Sequence, residues 1–460
     1  MSRRRRTICS RRRPVIITPN VAADGVTDDR AAIQAAINSL PPAGGIVYLP
    51  GLCYVGSAGT SGGAPYGIAI TRNNVTLTGA PGAGLTSDVP SIRVLVIGGA
   101  ALSTPTDPLA NWITSDTVMP FAGPQSADST TITLANATDA ATLVPGDLLF
   151  LRTGSLTASA LLREPDAELN VVTAVSGATV TLKYPTKKPY QQEYLLTAGA
   201  TANDISSPTG AGAACAFGVA KLTGRVITGA VVRGIKVWCT DTSGGTGCGI
   251  FLLQAWGATI DTCDVKGSKY GIAARFSRAV QIISPTVQMV AADSSVTDPA
   301  WIAPSTGCSD WIITSGRGST TGQAAKLHCH EGISDLKYVD WQSTAANAPG
   351  QAGASNVSVR SRAYGHYYDL TMSGAYTSTG SDMVYVSNTV SSARGQVYFE
   401  RLNLTGTPGR YMVKFDSTTP TIEQGNLSIT GIGATGSTTY AGSPLVTGGV
   451  DPTNVVLGAP

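Results

Sequence analysis

Asp24-Gly25-Val26-Thr27-Asp28-Asp29-Arg30-Ala31-Ala32-Ile33-Gln34-Ala35-Ala36-Ile37, followed by Ile46-Val47-Tyr48-Leu49-Pro50-Gly51 and Asn74-Val75-Thr76-Leu77-Thr78-Gly79, decides the fold of this chain. Ile33 and Ile37 are four apart, with Ala32 and Ala36 beside them, which gives a short helix one apolar face. Asp28 or Asp29 stands where an N-cap belongs, where a carboxylate meets unpaired amides and the positive end of the helix dipole. Pro41, Pro42 and the Gly44-Gly45 pair end the helix. The two following segments alternate apolar and polar residues between turn formers, so they read as strands. The aspartates are read as cap and turn residues rather than catalysts.

Farther along, the pattern repeats loosely. Val231-Val232-Arg233-Gly234-Ile235-Lys236-Val237 is echoed by Thr259-Ile260-Asp261-Thr262-Cys263-Asp264-Val265. Further echoes are Val280 to Ile283, Trp311 to Ile313, Leu336 to Val339, Val357 to Val359, Val397 to Phe399 and Leu427 to Ile429. The spacing, mostly about 20–30 residues, is that of solenoid repeats. One such unit cannot cover its own apolar side, and stacked units share one core. Composition agrees: 53 glycines and only 13% charged residues suit a surface tiled with Ser, Thr, Asn and Gly on strands and turns. A helical protein needs more surface charge than this, and a disordered one fewer aliphatic runs.

The opening run, with Leu52-Cys53-Tyr54-Val55 and Ala80-Pro81-Gly82-Ala83-Gly84, resembles the start of the pectate-lyase-superfamily β-helix proteins. That group covers phage tailspikes and many polygalacturonase- and lyase-like enzymes. The resemblance implies an all-β, right-handed parallel β-helix with a short helix plugging its N-terminal end. The expected organisation is a basic flexible arm (1–19), the cap and first turns (20–118), a small inserted β-domain (119–190), the main β-helix (191–430) and a C-terminal tail or cap (431–460). The insertion is read from short alternating strands at Ser129 to Leu134, Gly146 to Leu151, Glu168 to Val172 and Gly177 to Leu182, with a tight turn at Ser176-Gly177.

Seven arginines (Arg3, Arg4, Arg5, Arg6, Arg11, Arg12 and Arg13) crowd the start, and setting them aside turns the net charge of +3 into −4. The body therefore does not read as a nucleic-acid surface. The arm reads either as a solvated tail or as a docking peptide for an acidic partner; with no aromatic residues among the arginines, a nucleic-acid tether is disfavoured. Arg11, Arg12 and Arg13 interrupt any signal-peptide core, and no run reaches the roughly 18 apolar residues of a membrane span. Eight cysteines form no CxxC pair and no zinc spacing. They read as buried thiols, with a disulfide from Cys239 to Cys248 or Cys263 left open. No metal or cofactor is expected.

Lys326-Leu327-His328-Cys329-His330-Glu331 holds two of the three histidines. In a strand Leu327 and Cys329 face inward, and Lys326, His328 and His330 share the outer face. Glu331 follows at the turn, and Arg275 aligns on a nearby rung. His328, His330, Glu331 and Arg275 are thus the catalytic candidates, able to donate or accept a proton; a polar patch or a subunit contact is the plainer reading. Asp310, Asp335 and Asn356 each precede an apolar strand residue and read as corners. Among the remaining acids Asp241, Asp261, Asp264, Asp293 and Asp340, no clustered motif of the polygalacturonase kind is found. Asp261 and Asp264 are three apart and face opposite ways in a flat strand. Trp256, Trp341 and Tyr367 are the candidates for stacking on sugar rings, with Trp301 and the stretch from Tyr364 to Tyr368 also considered; core packing is their alternative.

The resemblance and the absence of a secretion signal point to a virion-associated, tailspike-like protein. Such a protein binds a bacterial surface polysaccharide, with or without depolymerising it, docks to other virion proteins through the arm, and is a homotrimer. The rivals are a microbial polysaccharide lyase or glycoside hydrolase off the virion, and a non-catalytic structural or decoration protein.

Overall fold

A computed structural model describes residues 13–61, 64–98, 118–152, 167–190, 217–242, 247–290, 299–305, 307–320, 326–329, 333–346, 357–359, 364–375, 382–387, 396–407, 411–416, 427–430 and 433–435. The helix Arg30–Ser39 buries Ile33, Ala36 and Ile37 in the same core as Val47 and Val75. Its two aspartates divide their work. Asp29, the N-cap, turns its carboxylate away to accept the Ala22 and Ala23 amides at 2.8 and 3.0 Å. Asp28 Oδ1 accepts the Arg30 amide at 3.1 Å and the Gly56 amide at 3.1 Å, so it ties the helix start to the second strand layer. Among the described residues, no helix is long and apolar enough to cross a membrane.

The strands build three parallel faces. The first runs through Ile16–Ile17, Gly45–Leu49, Val75–Gly79, Val231–Arg233, Thr259–Asp261, Gln281–Ile283 and Ser309–Thr314, then enters the first halves of Ser334–Ala346, Tyr364–Ala375 and Gln396–Thr407. The second runs through Leu52–Tyr54, Gly84–Ser87, Lys236–Cys239, Asp264–Gly267, Thr286–Met289 and Arg317–Thr320 into the second halves of the same long strands. The third runs through Ala64–Ile70, Arg93–Gly98, Cys248–Leu253, Tyr270–Arg275, Ala300–Pro304, Lys326–Cys329, Val357–Val359, Asp382–Ser387 and Tyr411–Asp416. The chain is a right-handed parallel β-helix, all-β among the described residues but for its cap and one short helical turn.

Columns of left-handed residues make the corners. Asn74, Gly229, Gly257, Ala279, Asp310 and Asp335 all have positive φ, and each immediately precedes a buried residue: Val75, Ala230, Ala258, Val280, Trp311 and Leu336. Gly234, Thr262, Ser284, Ser315, Asp340 and Asp369 form the column between the first and second faces. Asp and Asn tolerate this conformation better than other residues with a Cβ because their short side chains bond locally. Asp310 and Asp335 are therefore corner residues as read from the sequence, and Asn356 lies outside the described residues. The corner at Thr262 corrects one expectation. Asp261 and Asp264 are both half-exposed on the exterior, because the chain bends between them instead of running flat.

Two boundaries also move. Ile16 and Ile17 pair with Ile46 and Val47, so residues 16–17 already belong to the stack rather than to the flexible arm; residues 1–12 lie outside the described residues. At the other end, Gly433–Thr435 pairs with the strand Gln396–Thr407, which carries the β-helix past residue 430. Cys53, Cys239, Cys248, Cys263 and Cys308 are buried free thiols, so the thiol reading holds for them. Burial pushes the Cys248 thiol up to about 12.

Inward columns form the core. Val47, Leu77, Val232, Ile260, Ile282, Ile313, Tyr338 and Tyr367 succeed one another rung by rung, all at most 1% exposed. The corresponding column of the second face reads Cys53, Leu85, Val237, Val265, Val287 and then Gly318. A Cβ at Gly318 would stand 2.8 Å from the Trp301 ring and 2.9 Å from that of Trp341: the two indoles fill the space the glycine leaves. Replacing Gly318 with Ala therefore overpacks the core and costs about 1–3 kcal/mol. A thermal melt followed by circular dichroism is expected to show a lowered midpoint for Gly318→Ala and none for Ser319→Ala, whose side chain points outward. Equal midpoints for Gly318→Ala and the parent would contradict this packing.

Candidate functional site

The inserted domain decides which faces a ligand can reach. Its six strands, Met119–Pro120, Thr131–Thr133, Leu148–Arg152, Ala167–Ser176, Thr179–Leu182 and Gly218–Lys221, form one antiparallel sheet. The last pairs with both the first and the third, so the domain closes at about residue 222 and not at 190 as expected. The returning strand is only four residues long, too short to announce itself. One side of this sheet encloses Ile132, Leu149, Leu151, Val172, Val180 and Val219. The other lays Phe150, Ala167, Leu169 and Leu222 across the outer side of the third face, against Val96, Phe251, Ala273 and Ala303. Rungs of the third face from Arg93–Gly98 to Ala300–Pro304 are thus apolar on both sides.

A chain of charges locks the edge of this contact. Arg278, 1% exposed, donates from Nε to Asp310 Oδ2 at 2.6 Å and from Nη1 to the Leu169 carbonyl, and faces Glu168 at 3.9 Å. Lys187 bridges Asp310 at 2.8 Å and Asp335 at 2.5 Å. The guanidinium also lies over the rings of Tyr184 and Trp256, 4.8 and 5.4 Å from their centroids. Burial pushes the Glu168 carboxyl up, an effect that Arg278 and the Lys187 amide at 2.8 Å only partly oppose. Burial also acts to raise Asp310, but Arg278 and Lys187 outweigh it and hold that carboxyl below its usual range. Every acid here is committed to a cation or an amide, and Glu168 has no exposed surface. The arrangement is a clamp between the inserted domain and the β-helix rather than an acid–base pair open to substrate.

The residues expected to form the site are scattered by the fold. Trp341 and Tyr367 are fully buried, Trp341 near Trp301 at 6.1 Å and Tyr367 stacked on Tyr338 at 5.1 Å. Neither can stack on a sugar: the left-handed corner at Asp340 resets the alternation and turns Trp341 inward, and Tyr367 follows Tyr338 in register. Trp256 is half-buried in the clamp with Tyr184 at 5.8 Å, so its ring is used for domain packing. Arg275 ends the third-face strand Tyr270–Arg275 and is half-buried. His328 lies in Lys326–Cys329, two rungs further along the same face, where Leu327 points inward as expected. His330 and Glu331 lie outside the described residues, as does Asp293. Asp241 is buried and accepts the Ser91 amide at 2.8 Å; Asp261 pairs with Arg233 at 2.8 Å.

The second face is different. Its outward columns run Lys236, Asp264, Thr286, Arg317, Gln342 and Tyr54, Thr86, Trp238, Lys266, Gln288, Ser319, Thr344. Trp238 is half-exposed, with the Lys236 ammonium 4.5 Å and the Lys266 ammonium 3.9 Å from its ring centroid. Tyr54 donates its hydroxyl to Asp88 at 2.5 Å. Farther along, Ser284, Thr286, Ser315, Arg317, Asp340 and Gln342 line a cleft of about 330 Å³. An open, ladder-like surface of hydroxyls, amides, cations and one indole can hydrogen-bond and stack on a polar chain lying along the axis. Asp264 and Asp340 are three rungs apart, roughly 14 Å at the spacing of β-strands, too far to act as the carboxylate pair of a glycosidase. Sequence reasoning missed Trp238, although the alternation Lys236-Val237-Trp238-Cys239 carried the signal.

No family model and no curated protein matches the sequence. Among solved structures, the chain is similar to the tailspike gp61 of Pseudomonas phage phi297, at 14% identity over 90% of this chain and 69% of that one, with a TM-score of 0.51. It is also similar to the Gp54 tailspike of Acinetobacter baumannii bacteriophage AP22, solved in complex with capsular saccharide (11% identity, 90% and 73% covered, TM-score 0.40). A third likeness is the endo-xylogalacturonan hydrolase of Aspergillus tubingensis (9% identity, 96% and 98% covered, TM-score 0.41). At such identities the likeness is one of fold.

The clamp has a pH signature. A depressed Asp310 stabilises the folded state above its unfolded value of 3.8, and that contribution disappears as the pH falls through the lower folded value. In Asp310→Asn the inserted domain is expected to be less protected from hydrogen exchange than in the parent at neutral pH, with the two converging as the pH falls below about 4. A gap that is unchanged down to the acid limit would argue against the clamp.

Proposed function

We propose that the protein is a virion-associated, tailspike-like protein that binds a bacterial surface polysaccharide along its second face. One observation carries the reading: the outward ladder around Trp238 is open, whereas the third face is sealed by the inserted domain. The fold shared with a phage tailspike supports the setting. In this reading the arginine-rich arm docks on acidic surfaces of other virion proteins, and three copies of the chain assemble.

Depolymerisation belongs to the same proposal at a second place. The strand Lys326–Cys329 lies past Ala300–Pro304, the last third-face rung that contributes to the core beneath the inserted domain. The strand that carries His328 is thus past the covered rungs, and His328, His330, Glu331 and Arg275 remain the proposed candidates for cutting a bound chain. A lyase or hydrolase off the virion would use the same face without the arm, and a decoration protein would bind no glycan.

Immobilised capsular and lipopolysaccharide preparations from a bacterial panel test the binding face. At least one is expected to bind the parent, and Trp238→Ala is expected to weaken it by about ten-fold, the equivalent of 1.4 kcal/mol, at an unchanged thermal midpoint. Unsaturated-sugar absorbance in the mixture marks a lyase and new reducing ends a hydrolase, and either is expected to be lost in Glu331→Gln or His330→Ala. Binding indifferent to Trp238 would remove the second face from consideration. Light scattering is expected to give a trimer; a monomer at micromolar concentration would sink the tailspike reading.

A further inference from the structure

Two positive charges share one indole on the second face. Lys236 and Trp238 lie two apart on one strand, and Lys266 is the register partner of Trp238 on the next rung. Each ammonium is within 4.5 Å of the ring centroid, so the two charges stand no farther apart than those two distances together. Among the described residues neither has a carboxylate within 4.0 Å, although Asp264 is the register partner of Lys236 and two residues from Lys266. This sets them apart from the cations of the clamp and of two surface pairs. Lys187, Arg278, Lys221 and Arg233 each meet a carboxylate at 2.8 Å or closer.

Bringing like charges together is unfavourable, by about 0.5 kcal/mol in bulk water at roughly 8 Å, the largest separation those contacts allow. The ring quadrupole offsets that cost, by about 0.5–1 kcal/mol for each exposed cation, and leaves both charges available to an anion. The indole itself is also out of place for a purely structural residue. Trp301, Trp311 and Trp341 are fully buried and Trp256 is packed into the domain seam, whereas Trp238 faces out among polar neighbours. An aromatic face flanked by two unneutralised ammonium groups is the recognition set for a pyranose that carries an acid: the C–H face stacks on the ring and the carboxylate meets the cations. Arg317, farther along, shares its cleft with Asp340.

We infer that Lys236, Trp238 and Lys266 form a subsite for a carboxylate-bearing sugar, which makes the ligand of the second face an acidic polysaccharide. The inference rests on the second face being the glycan-binding face. The protein body outside the arm carries a net charge of −4, so binding of an acidic chain depends on this local pair and not on general attraction.

The test is calorimetric titration with oligomers of galacturonate, mannuronate and guluronate, each beside its carboxyl-reduced counterpart. The parent is expected to bind at least one acidic series about ten-fold tighter than the reduced form, a difference of 1.4 kcal/mol, and to lose that margin as sodium chloride is raised. Lys236→Gln combined with Lys266→Gln is expected to abolish the margin while leaving the affinity for the reduced form and the thermal midpoint in place. The inference is overturned if no acidic series is preferred, or if the preference survives in the double variant. Should Trp238→Ala weaken acidic and reduced oligomers alike in the absence of any acid preference, the glycan face stands and the acidic ligand does not. Should Trp238→Ala change nothing, the face itself fails.

Discussion

Every rung of this molecule leaves one row of apolar side chains bare until the next rung covers it, and that dependence governs the rest. Val232 is covered by Leu77 on one side and Ile260 on the other, and Ile260 in turn by Ile282. Full burial of each such residue is worth about 1.5–3 kcal/mol, but only if the strands stay in register, because a one-residue slip would turn the row outward. The left-handed corners enforce that register. At the open end of the column the helix Arg30–Ser39 supplies Ile33 and Ile37 in place of a missing rung.

A prism with three sides must dispose of three outer surfaces, and the chain treats them differently. The third face is as apolar outside as inside, and the inserted domain is what makes that tolerable. Phe251 and Ala273 on the stack are matched by Phe150 and Leu169 on the insertion. The clamp of Glu168, Arg278, Asp310, Lys187 and Asp335 closes the rim of that contact. A buried Arg278 would be costly alone; with two carboxylates, a carbonyl and two aromatic faces around it, its charge is accommodated. The second face, uncovered, is polar down its length.

Local chemistry was legible in the sequence and long-range chemistry was not. Ile33 and Ile37 announce the cap by their spacing, and Asp310 and Asp335 announce corners because each precedes an apolar residue. The same corners defeat simple alternation. Tyr338 and Trp341 are three apart and both point inward, since Asp340 restarts the phase between them. Trp341, taken for a surface aromatic, is core for that reason, and Tyr367 is core because it stacks in register on Tyr338. Trp238 follows an uninterrupted alternation and was readable, but its value comes from Lys266, which register alone brings beside it. The contact of Lys187 with Asp310 joins segments that no sequence pattern connects.

The clamp and the open face are two answers to the same electrostatic question. Where the inserted domain meets the stack, cations and carboxylates are brought together until each is satisfied, and the result is rigid and chemically quiet. On the second face Lys236 and Lys266 share one indole, and among the described residues neither is ion-paired, although Asp264 stands on the neighbouring rung. A surface shaped only for solubility would alternate its charges, as Arg233 and Asp261 do on the first face. The unbalanced pair beside an exposed indole is therefore best explained by a counter-charge that arrives from outside the chain.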